Sequence, residues 1–186
     1  MAIRKLGIAV FLVLILLVGV SRSMTGDDNE SEGLTFRSSI IGSTPGQMIG
    51  GIASGSAPWT VNRASAALDG DGKLHVEIQG LVIVGQGTPA PVTQVLASLV
   101  CGGSGGTIMA ETAPVNLDAE GDAMIDDTIT IPPSCIAPVV LVRVAGVNGT
   151  PLPLPLTTQV PFIAATGFTP PVSGSPGHGK GKGHDH

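Results

Sequence analysis

The chain is 186 residues long, with a net charge of −5, 42% hydrophobic residues and 3% aromatic ones, which is room for one domain plus flanking segments. Nine Lys and Arg against 14 Asp and Glu cannot supply the clustered cations that a phosphate backbone needs, so nucleic acid and anionic membrane surfaces are excluded as partners. With no Tyr, one Trp and four Phe, the chain lacks the side chains of a base- or sugar-stacking platform, and its core falls to Val, Ile, Leu and Ala.

In chain order, residues 1–23 read as a secretory signal peptide. Arg4 and Lys5 precede an apolar and glycine run from Leu6 to Val20, and the small residues Gly19, Ser21 and Ser23 supply a cleavage site. The run is short of the roughly 20 residues that span a bilayer, so the mature chain is expected to be exported and free of the membrane. Cutting after Ser23 removes three cations and no acid, which moves the net charge from −5 to −8. Residues 24–57 are acidic (Asp27, Asp28, Glu30, Glu32), then glycine-rich, and are expected to form a flexible leader. Within them FRSSII, from Phe36 to Ile41, is expected to add one short edge strand.

From 58 to 168 the pattern changes to short segments rich in Val, Ile and Thr, separated by Gly, Pro, Asp and Asn. That spacing predicts an all-β fold, a single antiparallel β-sandwich of about seven strands and immunoglobulin-like form. Residues 60–68 and 73–84 form a predicted hairpin around DGDG. In its second arm Leu74, Val76 and Ile78 alternate with Lys73, His75, Glu77 and Gln79, the period of a strand with one buried face. TQVLASLVC places Val95, Ala97, Leu99 and Cys101 on one face, and TIMAETA is a shorter strand. In DAMIDDTITI, Ala123, Ile125, Ile129 and Ile131 share a face, and a bulge is expected to turn Asp127 out to solvent. PVVLVRVAG reads as a central strand. TQVPFIAAT closes the set, as an edge strand or a bulge because of Pro161. On the second face Leu81, Ile83, Leu96 and Val100 are expected to form an apolar strip, a contact surface if nothing covers it. Residues 169–186, rich in Pro, Ser, Gly and His, are expected to be disordered.

Cys101 and Cys135 are expected to pair, as two cysteines of an exported chain do. Closing a loop of about 35 residues contributes roughly 3–4 kcal/mol by chain entropy. In the tail, His178, His184, Asp185 and His186 are donors suited to copper, zinc or nickel, set against the plainer reading of a solubilising end. The turns holding Asp69 and Asp71, and Asp118 and Asp122, are explained by hairpin chemistry. Brought to one end of the sandwich, their four carboxylates would make a calcium site. GGSGG matches a nucleophile-elbow pattern at Ser104 but precedes a strand instead of a helix. A secreted hydrolase would require His75 within reach of Ser104, Asp126 or Asp127. Asn29 and Asn148 begin N-x-[ST] sequons.

The run APWTVNRASAALDGDGKLHVEIQGLVI, through ASLVC to PPSCIAPVVLVR, resembles uncharacterised small exported bacterial proteins. In these, APW and a G-L-V-I segment precede SLVC and a second cysteine in P-x-x-C-x-A-P. The resemblance covers residues 57–166 and implies export, one β-domain and a cysteine pair. That group has no assigned activity, so no functional residue is carried over. The expectation from the sequence is a secreted, noncatalytic binding or structural module with an unknown protein or cell-surface partner. An exported metal-binding protein acting through the tail is the alternative.

Overall fold

A computed structural model describes residues 36–167. The signal segment, the acidic cluster and the histidine tail with His178, His184, Asp185 and His186 lie outside the described residues. The strands are β1 (Phe36–Gly42), β2 (Met48–Ile49), β3 (Ile52–Ala53), β4 (Trp59–Thr60), β5 (Arg63–Leu68), β6 (Lys73–Gln79) and β7 (Val82–Ile83). They continue with β8 (Val92–Cys101), β9 (Thr107–Glu111), β10 (Val115–Asn116), β11 (Ala123–Thr128), β12 (Val139–Val147), β13 (Thr150–Pro151) and β14 (Phe162–Thr166). A short 3-10 turn at Gly103–Gly105 follows β8, and the described residues contain no α-helix. The all-β expectation holds.

Ten strands join in one antiparallel sheet in the order β10–β8–β12–β14–β1–β5–β6–β11, with β9 also on β8 and β13 on β12. The ribbons β2–β3 and β4–β7 stand apart. One strand makes the corner. Phe36–Ser39 of β1 pair with β5, whereas Ile40–Gly42 pair with β14, so β1 passes from one half of the sheet to the other. The sheet curls until its outermost strands, β10 and β11, touch. At this seam the Asp127 carboxylate accepts the Ala113 N–H at 2.7 Å. The result is a curled half-barrel around an aliphatic core. Its centre holds Leu74, Val76 and Ile78 of β6, Val95, Ala97 and Leu99 of β8, and Val140 and Val142 of β12, all fully or almost fully buried.

Several local expectations are revised. FRSSII is no edge strand: β1 sits between β14 and β5 with Ile40 buried, so the folded part reaches back to Phe36, well inside the predicted leader. Ile52 is also fully buried. β14 is no edge strand but lies beside β12 and β1. Of the two alternatives it takes the irregular one, its register with β12 shifting between Val142 and Arg143 so that Ile163 is passed over. Pro161 lies just before its first residue, where a missing N–H costs no ladder bond. No bulge turns Asp127 outward. The β11–β6 register runs unbroken from Ala123 to Thr128, and Asp127 keeps the inward side, where it serves the seam.

The predicted β5–β6 hairpin is present, with Asp69 as its organiser. Asp69 Oδ1 accepts the N–H groups of Asp71 and Lys73 at 3.0 and 2.9 Å. Gly72 closes the turn at φ 87°, and its carbonyl accepts the Ile129 N–H at 2.8 Å. A Cβ there would lie 2.2 Å from the Ile129 carbonyl oxygen. Gly72→Ala is therefore expected to cost about 2 kcal/mol, from overpacking and the left-handed backbone together, read as a lowered midpoint in urea unfolding.

Candidate binding face

Alternation along the strands gives each half of the sheet an outer side, and the two outer sides differ. On β8 and β12 the side away from the core carries Leu96, Ser98 and Val100, and Leu141, Arg143 and Ala145, all with 0% exposure. Two segments roof them. The β2–β3 ribbon brings Ile49 and Ile52 onto Val100, Leu141 and Phe162. The segment after β13 brings Leu152, Leu156 and Val160 onto Leu96 and Ala145. The expected apolar contact strip is thereby overturned: Leu81, Leu96 and Val100 are fully buried and Ile83 nearly so. Leu81 and Ile83 belong to the main core, and glycine- and proline-rich connections cover Val100 and Leu96.

At the centre of the roofed side stands a charged pair that the apolar reading of PVVLVRVAG passed over. Arg143 donates through Nη1 to Glu111 and through Nη2 to the carbonyls of Thr157 and Val160, the last at 3.1 Å. Glu111 also accepts the Ser98 hydroxyl at 3.0 Å and the Leu156 N–H at 3.3 Å. The guanidinium thus binds the roof to the sheet through backbone carbonyls. Burial lowers the Arg143 pKa from its ordinary value, and the charge and hydrogen bond of Glu111 oppose that shift. An arginine remains a cation at neutral pH under these conditions. Its Nε is buried without a partner among the described residues. The available signal was the single charge inside an otherwise apolar run.

The other outer side, on β1, β5, β6 and β11, is polar and is roofed by none of the described residues. Register places Arg37, Ala67, His75 and Asp126 in one row across the four strands, and Ser39, Ser65, Glu77 and Met124 in the next. Arg63 and Lys73 lie on the same side. The described residues hold four basic side chains, Arg37, Arg63, Lys73 and Arg143. Three of them are exposed and all three stand on this face, while the fourth is the buried Arg143. None of the three exposed cations forms an ion pair among the described residues. The acidic turns Asp69–Gly72 and Asp118–Asp122 lie beyond the ends of its strands.

His75 Nδ1 and Asp126 Oδ1 are hydrogen-bonded across β6 and β11, with side-chain exposures of 42% and 51%. His75 therefore does reach one of its sequence-predicted partners. A carboxylate on Nδ1 can orient an imidazole as a base, but this pair stands in water on a strand face. Ser104 sits in the 3-10 turn after β8, and its carbonyl accepts the Gly50 N–H at 3.0 Å. No hydrogen bond among the described residues links Ser104 to His75.

The two acidic turns are not brought together. Asp69 and Asp71 flank the Lys73 end of β6, whereas Asp122, through Oδ1, accepts the Gly80 N–H at 2.7 Å beyond the Gln79 end. Six residue steps separate those ends, about 20 Å at strand rise. Each turn closes on itself: Asp118 Oδ1 accepts the N–H groups of Glu120 and Asp122 at 3.1 and 2.8 Å. Among the described residues no group of three or more His, Cys, Asp or Glu is placed to hold a metal ion.

Cys101, at the end of β8, and Cys135, in the loop before β12, form a disulfide with Cα atoms 5.0 Å apart. It ties the ends of two neighbouring strands, since Val100 pairs with Val139. The bond is compatible with an oxidising extracellular or periplasmic compartment. Comparison with known proteins returns no matching family model, no matching curated protein and no matching solved structure.

Proposed function

We propose that the chain is a secreted, noncatalytic β-sandwich module that binds an acidic segment of a protein or cell-surface partner through the open face of β1, β5, β6 and β11. The observation that carries this is the placement of the exposed cations, which share the face with Glu77 and Asp126. A protein of net charge −5 has all three exposed cations of its described part on one strand face, and it roofs the opposite outer side with its own connections. Such a face steers and orients a complementary partner. The signal-like residues 1–23, the disulfide and the resemblance to small exported bacterial proteins support export. The sandwich is the curled sheet taken as two leaves hinged at β1. Its immunoglobulin-like character rests on that switching strand and on the order β14–β12–β8. The direct β5–β6 hairpin departs from the immunoglobulin arrangement, which places a strand from later in the chain beside the second one.

Two measurements test it. A blocked tetraglutamate peptide is expected to bind the purified protein, and a blocked tetraglutamine peptide is not. Binding should be lost in R37E/K73E, whose two positions are exposed, with unchanged far-ultraviolet circular dichroism as the check on its fold. Retained binding in that variant would overturn the role of the face. For the noncatalytic part, His75 is the group to test, because it is the one histidine among the described residues and is paired with a carboxylate. Hydrolysis of p-nitrophenyl acetate is expected to run at the same rate in wild type and His75→Ala, and a His75-dependent, saturable turnover would contradict the proposal.

The alternative, an exported metal-binding protein, rests on the donor set His178, His184, Asp185 and His186. Stoichiometric binding of copper(II) or zinc(II), lost in a chain ending at Val172, would favour it. Binding that ignores the truncation would remove it.

A further inference from the structure

Where β1 turns from β5 toward β14, the sheet opens into a cleft. Ser39 pairs with Ser65 across the last regular rung. The two segments then separate and meet again where the Trp59 N–H donates to the Ser43 carbonyl at 2.8 Å. The closure is tight, since a Cβ on Gly42 would lie 2.2 Å from the Trp59 carbonyl oxygen. Between these two points is a space of about 440 Å3, walled by Ser39, Trp59, Thr60, Asn62 and Arg63 among others. That volume falls within the range of ligand sites, roughly 300–1,000 Å3.

The side chains around this space are uncommitted. Ser39, Thr60, Asn62 and Arg63 make no side-chain hydrogen bond or ion pair among the described residues, in contrast to Asp69, Asp118 and Glu111, whose carboxylates are engaged within the fold. The two hydroxyls and the amide can each donate or accept, whereas the guanidinium only donates and matches a carboxylate with two parallel hydrogen bonds. Arg63 therefore sets the preference of the lining for an oxyanion, at the edge of the face that carries all three exposed cations of the described residues.

We propose that this cleft is the carboxylate-binding site of the module, with Arg63 as anchor and Ser39, Thr60 and Asn62 as supporting donors, and that an acidic side chain of the partner's segment occupies it. The inference rests on the assignment of this sheet face as the binding surface and adds to it the residue that grips the ligand.

Trp59 is the single tryptophan of the chain. It borders the cleft and is otherwise packed in the core at 6% exposure, so its fluorescence is the local readout of occupancy. Titrating the purified protein with blocked tetraglutamate should give a saturable emission change, absent with tetraglutamine. Arg63→Ala should weaken binding about tenfold, as loss of a charge-assisted hydrogen bond does, and Arg63→Lys should restore part of it. Thr60→Val should weaken it less. Citrate serves as a second probe: saturation by citrate with no response to tetraglutamate would replace the peptide partner with a small free acid, overturning the occupant proposed here. Peptide binding that leaves Trp59 emission and Arg63→Ala unaffected, yet fails in R37E/K73E, would overturn the cleft while the face stands. Binding indifferent to all these variants would overturn both.

Discussion

Replacing Arg143 by methionine is expected to lower stability by about 3–5 kcal/mol, the cost of breaking a buried ion pair from one side. The guanidinium is fully buried and the Glu111 side chain is 16% exposed, so partial hydration of the stranded carboxylate places the loss toward the lower end. The effect is more than a missing pair. Arg143 also holds the carbonyls of Thr157 and Val160, and Glu111 holds the Leu156 N–H. The roof segment loses its polar attachment, and amide exchange at Leu156 should accelerate along with the global loss. Glu111→Gln keeps the shape and strands the cation instead. The double variant E111Q/R143M should cost less than the two single changes added together, because neither charge is then left alone. Chemical denaturation of the four proteins closes the cycle. Strict additivity would show that the pair is not coupled and that packing alone holds the roof.

Removing the disulfide is the second large effect. C101S/C135S is expected to lose about 3–4 kcal/mol, because the cross-link closes a loop of 34 positions in the unfolded chain. For a domain of this size that corresponds to a fall in melting temperature of about 10–15 °C. Wild type melted with a reductant should follow the double variant. The folded end of the loop is also held by backbone bonds, from the Gly102 N–H to the Ile136 carbonyl at 2.7 Å and from the Gly103 N–H to the Ala137 carbonyl at 3.0 Å. The native fold should therefore survive in the variant at 25 °C, with unchanged far-ultraviolet circular dichroism. A melting temperature within a degree or two of wild type would contradict the chain-entropy account.

What could be read from the residues, and what could not, follows the physics of each element. The β5–β6 hairpin was legible because Leu74, Val76 and Ile78 alternate with polar residues and DGDG supplies turn chemistry at the right place. The cysteine pairing was legible from count and context. The central place of β1 was not, since Phe36–Ile41 precedes a glycine-rich stretch and position within a sheet depends on partners far along the chain. The roofing of Leu96 and Val100 was hidden for a related reason. The covering segments are interrupted by Gly, Pro and Thr and show no strand alternation, and Ile49, Ile52, Leu152, Leu156 and Val160 do the burying.

The candidate face divides in the same way. Lys73, His75 and Glu77 declare an exposed strand side through their alternation. The convergence of Arg37 and Arg63 onto that side depends on the pairing of three strands, and the cleft depends on where β1 departs from β5. Arg143 shows the opposite case: PVVLVRVAG reads as a central strand, and its one charge is the centre of the polar attachment between roof and sheet.

The central claim is that the open side of β1, β5, β6 and β11 is the binding surface and the roofed side is not. Amide shift mapping in a two-dimensional NMR titration with blocked tetraglutamate tests it in one experiment. Shifts clustered on Phe36–Gly42, Trp59–Leu68 and Lys73–Gln79, with residues 152–160 and 48–53 unmoved, are the predicted result. Shifts concentrated on the roof segments would contradict it.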